Sequence, residues 1–89
     1  MKLSPDFELI DVADENLAVP VGEAAARTHG VIALTDASAF LLRQMKEAPR
    51  TEAELVRLLT EAYDVTAEDA ARDVAAAVVK YRSLGLIED

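Results

Sequence analysis

Residue types that perform catalysis or bind metals are scarce in this sequence. Its 89 residues include a single histidine, His29, and no cysteine, so no cluster has the spacing of zinc ligands. The 17 acidic residues are scattered, without the D-x-D-x-D pattern of a calcium loop. Ser4, Ser38 and Ser83 have only His29 as a potential base, which is too little to indicate nucleophilic catalysis. We therefore expect no catalytic residue, no metal site and no cofactor.

Composition and charge describe a small acidic protein. The formal net charge is −8, and no basic block occurs anywhere in the chain. Acidic surfaces repel the phosphates that supply most nucleic-acid affinity, so we expect no nucleic-acid partner. The acidity itself indicates either plain solubility or a preference for partners with basic segments. The N-terminus has no apolar signal region and no stretch has the length of a membrane span, so we expect a cytoplasmic protein without membrane contact.

The hydrophobic period changes from two residues to 3.6 along the chain. The first part predicts three strands, over residues 7–12, 16–21 and 31–34. The second part predicts three helices, over residues 36–48, 52–63 and 67–84. Strands that precede helices in this way indicate an α+β fold, here as one domain over residues 1–89.

Local signals mark the ends of these elements. Asp14 and Glu15 form a short polar connection that predicts a β-hairpin, and Glu23-Ala-Ala-Ala-Arg27 fits a single helical turn. Thr35 or Asp36 caps the first long helix, and Thr66 starts the last one. Thr51 and Glu54 have the spacing of a capping box, and Gly85 followed by Leu86 predicts a helix C-cap.

The predicted third strand has no polar face. Val31 to Leu34 are four successive apolar residues, which need cover on both faces. Either the helices of the same chain supply that cover, or the strand lies at a sheet edge and accepts a peptide as an added strand. His29, just before this run, is interpreted as a turn or surface residue, with a contact to a bound peptide as the alternative.

The last helix has a wider apolar face than packing on a core requires. Ala71, Ala75 and Val79 extend the apolar stripe around one flank of the helix. Alanine there has a simple explanation, because alanine is the best helix former. Valine at position 79 has no such explanation, because a β-branched residue does not favour an exposed helical position. The flank therefore predicts a shallow apolar groove beside the helix.

Four segments together resemble the PqqD-like proteins, which are recognition elements for ribosomally synthesised, post-translationally modified precursor peptides. In chain order these segments are "PDFELIDVADENLAVPVGEAAART", "GVIALTDASAFLL", "TEAELVRLLTEAYDVTAEDAARDV" and "LGLIED". The resemblance covers essentially the whole chain and depends on order, spacing and length rather than on one strong motif. It implies a winged helix-turn-helix fold, with a three-stranded antiparallel sheet packed on three helices.

The resemblance also implies a function and a site. Members of the family bind the leader segment of a precursor peptide and present it to a peptide-modifying enzyme, commonly a radical SAM protein. The leader adds as a strand to the third strand and lies against the third helix. The residues that this implies for peptide binding are His29, Val31, Ile32, Ala33, Leu34, Glu68, Ala71, Arg72, Ala75, Val79 and Arg82.

Two other functions remain open from the sequence. A winged helix also occurs in DNA-binding regulators, although the start of the last helix presents Glu68, Asp69 and Asp73 against one arginine. The chain can also be a structural subunit that stays docked on a larger enzyme. We expect a monomer or a weak homodimer, because an exposed strand edge can pair with its own copy.

Overall fold

The structure, a computed structural model, describes residues 1–27 and 30–89. Within these ranges the strands form two antiparallel sheets, in the orders β1-β5 and β2-β3-β4. The elements are β1 (Lys2–Leu3), β2 (Phe7–Val12), β3 (Glu15–Pro20), α1 (Glu23–Arg27), β4 (Ile32–Leu34), α2 (Asp36–Glu47), α3 (Glu52–Ala62), α4 (Ala67–Ser83) and β5 (Ile87–Glu88). The α+β class and the three-stranded antiparallel sheet are thus confirmed.

The hairpin of β2 and β3 turns one residue earlier than the sequence predicts. Its two-residue loop is Ala13-Asp14, with φ of 50° and 67°, and Val12 pairs directly with Glu15. Both central residues have positive φ, as in the primed turns whose twist matches that of the strands. Consequently β3 begins at Glu15 and ends at Pro20, where the sequence predicted residues 16–21.

The helices begin at side-chain caps. The hydroxyl oxygen of Thr35 accepts from the Ser38 N–H at 3.1 Å, so Thr35 rather than Asp36 is the cap of α2. At α3 the Thr51 hydroxyl accepts from the Glu54 N–H at 3.1 Å, and the Glu54 carboxylate accepts from the Thr51 N–H at 3.0 Å. Both bonds satisfy N–H groups that have no partner inside the helix.

A glycine ends α4. Gly85 has a φ of +74°, a conformation that side chains with a Cβ adopt at a cost. The Gly85 N–H donates to the Arg82 carbonyl at 3.1 Å, and the Leu86 N–H donates to the Tyr81 carbonyl at 2.9 Å. This pair of bonds is a Schellman motif, and Leu86 is fully buried behind it.

The sheet of β1 and β5 is absent from the sequence prediction. Lys2 pairs with Glu88 and Leu3 with Ile87, so the two ends of the described chain meet. Each strand has two residues, too few to show a period. The expectation that every strand precedes the helices is therefore wrong at β5.

One hydrophobic core lies between the three-stranded sheet and α2, α3 and α4. The sheet contributes Phe7 and Ala18, and the last strand contributes Ile87. The helices contribute most of the buried residues, which are Leu41, Leu42, Met45, Leu55, Leu59, Ala70, Val74, Val78 and Tyr81. This packing fixes the positions of β4 and α4, the two elements to which the sequence assigns a binding role.

Candidate functional site

One edge of β4 is unpaired in the part of the chain that the structure describes. The strand pairs with β3 through Ala18↔Ile32, Leu17↔Ala33 and Asn16↔Leu34, and none of the described strands adjoins its other side. Backbone groups of a strand point alternately to its two sides, so that edge presents N–H and C=O groups to an incoming chain. The strand is one residue shorter than predicted, since Val31 precedes it and is exposed.

The two faces of β4 have different surroundings. Ile32 and Leu34 are half-buried and pack against the core, whereas Ala33 between them is exposed. The helices of the chain therefore cover one face of the strand and leave the other open. Ile32 and Leu34 direct their side chains into the core, so these side chains are not available to an incoming chain at the edge.

An apolar flank of α4 is exposed to solvent. The helix buries Ala70, Val74, Val78 and Tyr81. Ala71, Ala75 and Val79 follow one another at four-residue spacing beside that stripe, and all three are exposed. Val79 is 69% exposed, the largest exposed fraction among the large hydrophobic residues that the structure describes.

Ion pairs within the chain occupy the charged residues of this flank. Arg72 lies 3.9 Å from the Glu68 carboxylate and 3.3 Å from that of Asp69. Arg82 donates to the Asp89 carboxylate at 2.8 Å, and this hydrogen bond holds the pKa of Asp89 below its ordinary value. Exposed pairs of this kind contribute little free energy, so an incoming partner can exchange them at small cost.

A partly buried hydrogen bond connects α4 to α2. The Tyr81 hydroxyl donates to the Ser38 hydroxyl oxygen at 2.7 Å, and Ser38 lies in the first turn of α2, just after β4. Burial raises the pKa of Tyr81, so the hydroxyl stays protonated at neutral pH. The sequence gives no signal for this contact, because the two residues lie 43 positions apart in the chain.

Two depressions on the surface have none of the predicted peptide-binding residues in their lining. One depression is lined by Asp11, Asp14, Asn16, Asp36, Phe40, Arg43 and Tyr63. A second is lined by residues 2–5, Phe7 and residues 45–49. In the first, Arg43 donates to Asn16 and Asn16 donates to Asp36, each at 2.9 Å, so these groups satisfy one another. The predicted peptide-binding residues that the structure describes thus lie on β4, immediately before it, or on α4.

Residues 1–27 and 30–89 contain neither a metal-ligand cluster nor a membrane-spanning helix. There, no three His, Cys, Asp or Glu side chains lie close enough to share a metal ion. No helix in those ranges combines the length and hydropathy needed to cross a bilayer. His29, which the resemblance assigns to peptide binding, lies outside the described residues.

The fold is similar to two solved structures over almost its whole length. The first is a structure described as lasso peptide synthetase B1 complexed with the leader peptide; it has 20% sequence identity, a TM-score of 0.75, and coverage of 99% of this chain and 96% of that one. The second, TbiB1 in complex with the TbiA(beta) leader peptide, has 17% identity, a TM-score of 0.77, and coverage of 99% and 95%. At these identities the similarity shows a shared fold.

Sequence comparison gives the family. No curated protein sequence matches the chain. The family model for coenzyme PQQ synthesis protein D (PqqD) matches residues 20–87, a range that contains β4, α2, α3 and α4. This match spans most of the sequence, and so the chain belongs to the PqqD family.

Proposed function

We propose that this chain is a non-catalytic recognition protein of the cytoplasm, which binds the leader segment of a ribosomally made precursor peptide. It delivers that peptide to a modifying enzyme, such as a radical SAM protein. The observation that supports this most directly is the unpaired edge of β4. It occurs in a fold that matches two leader-peptide complexes over at least 95% of every chain compared.

Backbone pairing with β4 supplies the affinity in this proposal. The leader adds as a fourth strand beside Ile32–Leu34, where it satisfies the outward N–H and C=O groups. A three-residue edge gives only a few hydrogen bonds, each worth about 1 kcal/mol net. Side-chain contacts with the helix must therefore contribute the rest.

The exposed flank of α4 supplies those side-chain contacts. Ala71, Ala75 and Val79 give it a shallow apolar floor, onto which leader side chains pack. Glu68, Arg72 and Arg82 border that floor and provide polar contacts. Val31, immediately before β4, and His29, two residues earlier in the sequence, complete the proposed contact set.

Function as a tether needs no chemistry from this chain. When one protein holds the leader and also contacts the enzyme, the core segment of the peptide reaches the active site at a raised effective concentration. This mechanism is consistent with the absence of a metal-ligand cluster among the described residues. It requires two contacts, one with the leader and one with the enzyme.

Electrostatics disfavour the DNA-binding alternative. The first turns of α4, which enter the groove in helix-turn-helix proteins, bear Glu68 and Asp69, and Arg72 is already paired with both. A phosphate backbone would meet carboxylates at this point on a chain of net charge −8.

Titration with labelled peptides tests the proposal. The precursor peptides encoded beside this gene are synthesised with a fluorophore, and anisotropy is recorded as the protein is added. We expect saturable binding to one leader segment, and mass spectrometry should show that peptide unchanged after incubation. A folded sample that binds none of these leaders would contradict the proposal and favour a permanently docked subunit.

A further inference from the structure

The three-stranded sheet has a second, largely apolar face, directed away from the helices. It consists of alternate residues of β2, β3 and β4, and we refer to these five as the outer sheet face: Ile10, Val12, Leu17, Val19 and Ala33. Apart from Ala33, which lies on the strand proposed to pair with the leader, neither the core nor the proposed leader contacts account for these residues.

Contacts on the inner face establish which residues are outward. The Asp11 carboxylate lies 3.6 Å from Arg43 of α2, and Asn16 donates to Asp36 of the same helix. Side chains of a strand alternate between faces, so the neighbours of Asp11 and Asn16 point the other way. Register agrees with this assignment, because Ile10, Leu17 and Ala33 stand directly opposite one another across all three strands.

The outer sheet face is partly open to solvent. Val12 is 52% exposed and Ala33 is exposed. Ile10, Leu17 and Val19 are half-buried, and none belongs to the residues that form or pack against the core. The short helix α1 contacts β3, yet Val12 at one end and Ala33 at the edge remain uncovered. Adjoining exposed apolar residues of this kind mark interaction surfaces.

Acidic residues lie on the same face. Glu8 stands opposite Val19, and Glu15 stands opposite Val12; both glutamates are exposed. A partner that covers this face must therefore combine an apolar centre with lysine or arginine at its rim. A second copy of this chain does not fit, because it brings the same glutamates and a net charge of −8.

We infer that the outer sheet face is the docking surface for the peptide-modifying enzyme, through an apolar patch bordered by basic side chains. The inference supplies the second contact that the proposed function requires, and it rests on that function. Ala33 joins the outer sheet face to the free edge of β4. A leader strand added there extends the same face with alternate side chains of its own, so the docked enzyme meets sheet and leader together.

Enzyme binding without peptide is the test, with the recombinant modifying enzyme encoded beside this gene as the probe. Its affinity for the wild-type chain and for Val12→Lys is measured by biolayer interferometry. Lysine can pair with Glu15 across the strands, so the hairpin should keep its fold while the patch loses its apolar edge and gains a charge like that of the partner's rim. We expect about a tenfold loss of affinity for the enzyme, with leader affinity unchanged.

Two further variants complete the test. Val65→Lys places the same side chain at another exposed valine, in the connection between α3 and α4, and should bind the enzyme like the wild type. Glu8→Lys should weaken enzyme binding while leaving the apolar residues unchanged. If Val12→Lys fails to fold, the affinity of Glu8→Lys for the enzyme is the test instead.

Four outcomes would overturn the inference. The wild type does not bind the enzyme, or Val12→Lys binds it with the affinity of the wild type. Alternatively, Val65→Lys loses as much affinity for the enzyme as Val12→Lys does, or sedimentation shows a wild-type dimer that Val12→Lys dissociates. Because peptide is absent from the enzyme assay, a failure of leader binding is seen separately in the anisotropy titration.

Discussion

Val79 is the residue at which sequence and structure point most directly to a binding surface. A β-branched side chain on an exposed helix has lost rotamer freedom without gaining burial, and Val79 is 69% exposed. In the proposed complex the leader provides the missing burial. Ala71 and Ala75 allow no such argument, because alanine suits any exposed helical position.

Substitution of Val79 by glutamate should separate binding from folding. Val79→Glu adds a charge where the leader packs, while the exposed position leaves the core untouched. We expect leader affinity to fall about tenfold, as measured by anisotropy, with an unchanged circular dichroism spectrum. The matched control is Val65→Glu, at an exposed valine outside the proposed groove. Equal leader affinities of the two variants would refute the groove assignment.

For other residues, the sequence pattern does not show which side chains are exposed or which contacts they make. Val31 to Leu34 look alike in the sequence, but Ile32 and Leu34 pack on the core while Val31 and Ala33 are exposed. The residue types show that residues 31–34 are apolar, but the face of the sheet to which each side chain points depends on pairing with β3. The contact of Tyr81 with Ser38 also depends on tertiary packing, since it joins residues on two helices far apart in the chain.

Elements whose signals are local could be predicted from the sequence. The caps at Thr35, Thr51 and Thr66 each depend on residues within one helical turn, and all three are present. The pairing of β1 with β5 joins opposite ends of the sequence, and two-residue strands leave no periodic pattern. The hairpin turn was misplaced by one residue because alanine has no preference for the left-handed conformation that Ala13 adopts.

Stability of the hairpin should respond to the residue at position 13. The left-handed conformation costs an L-amino acid about 1 kcal/mol, and asparagine tolerates it better than alanine. We therefore expect Ala13→Asn to raise the free energy of unfolding by about 0.5–1 kcal/mol, as measured by urea denaturation. Ala13→Val, with a β-branched side chain, should lower it. The same stability for both variants would show that the turn differs from the one described.

At the scale of the whole molecule, two separate surfaces are proposed for two partners. The free edge of β4 and the flank of α4 are proposed for the leader, and the outer sheet face for the enzyme. The sequence predicts the first surface, through the family resemblance and the apolar flank of the last helix. It does not predict the second, because strand register, which aligns Ile10, Leu17 and Ala33, is a property of pairing.

The most direct test of leader recognition is to locate the bound peptide by NMR. Amide shifts of the isotopically labelled protein are followed as the leader encoded beside its gene is added. We expect saturable shifts concentrated on Ile32–Leu34 and on the α4 flank from Glu68 to Arg82, with little change at β2 on the opposite edge of the sheet. Shifts concentrated instead on β2, the other edge of the sheet, or an unchanged spectrum from a folded sample, would contradict strand addition at β4.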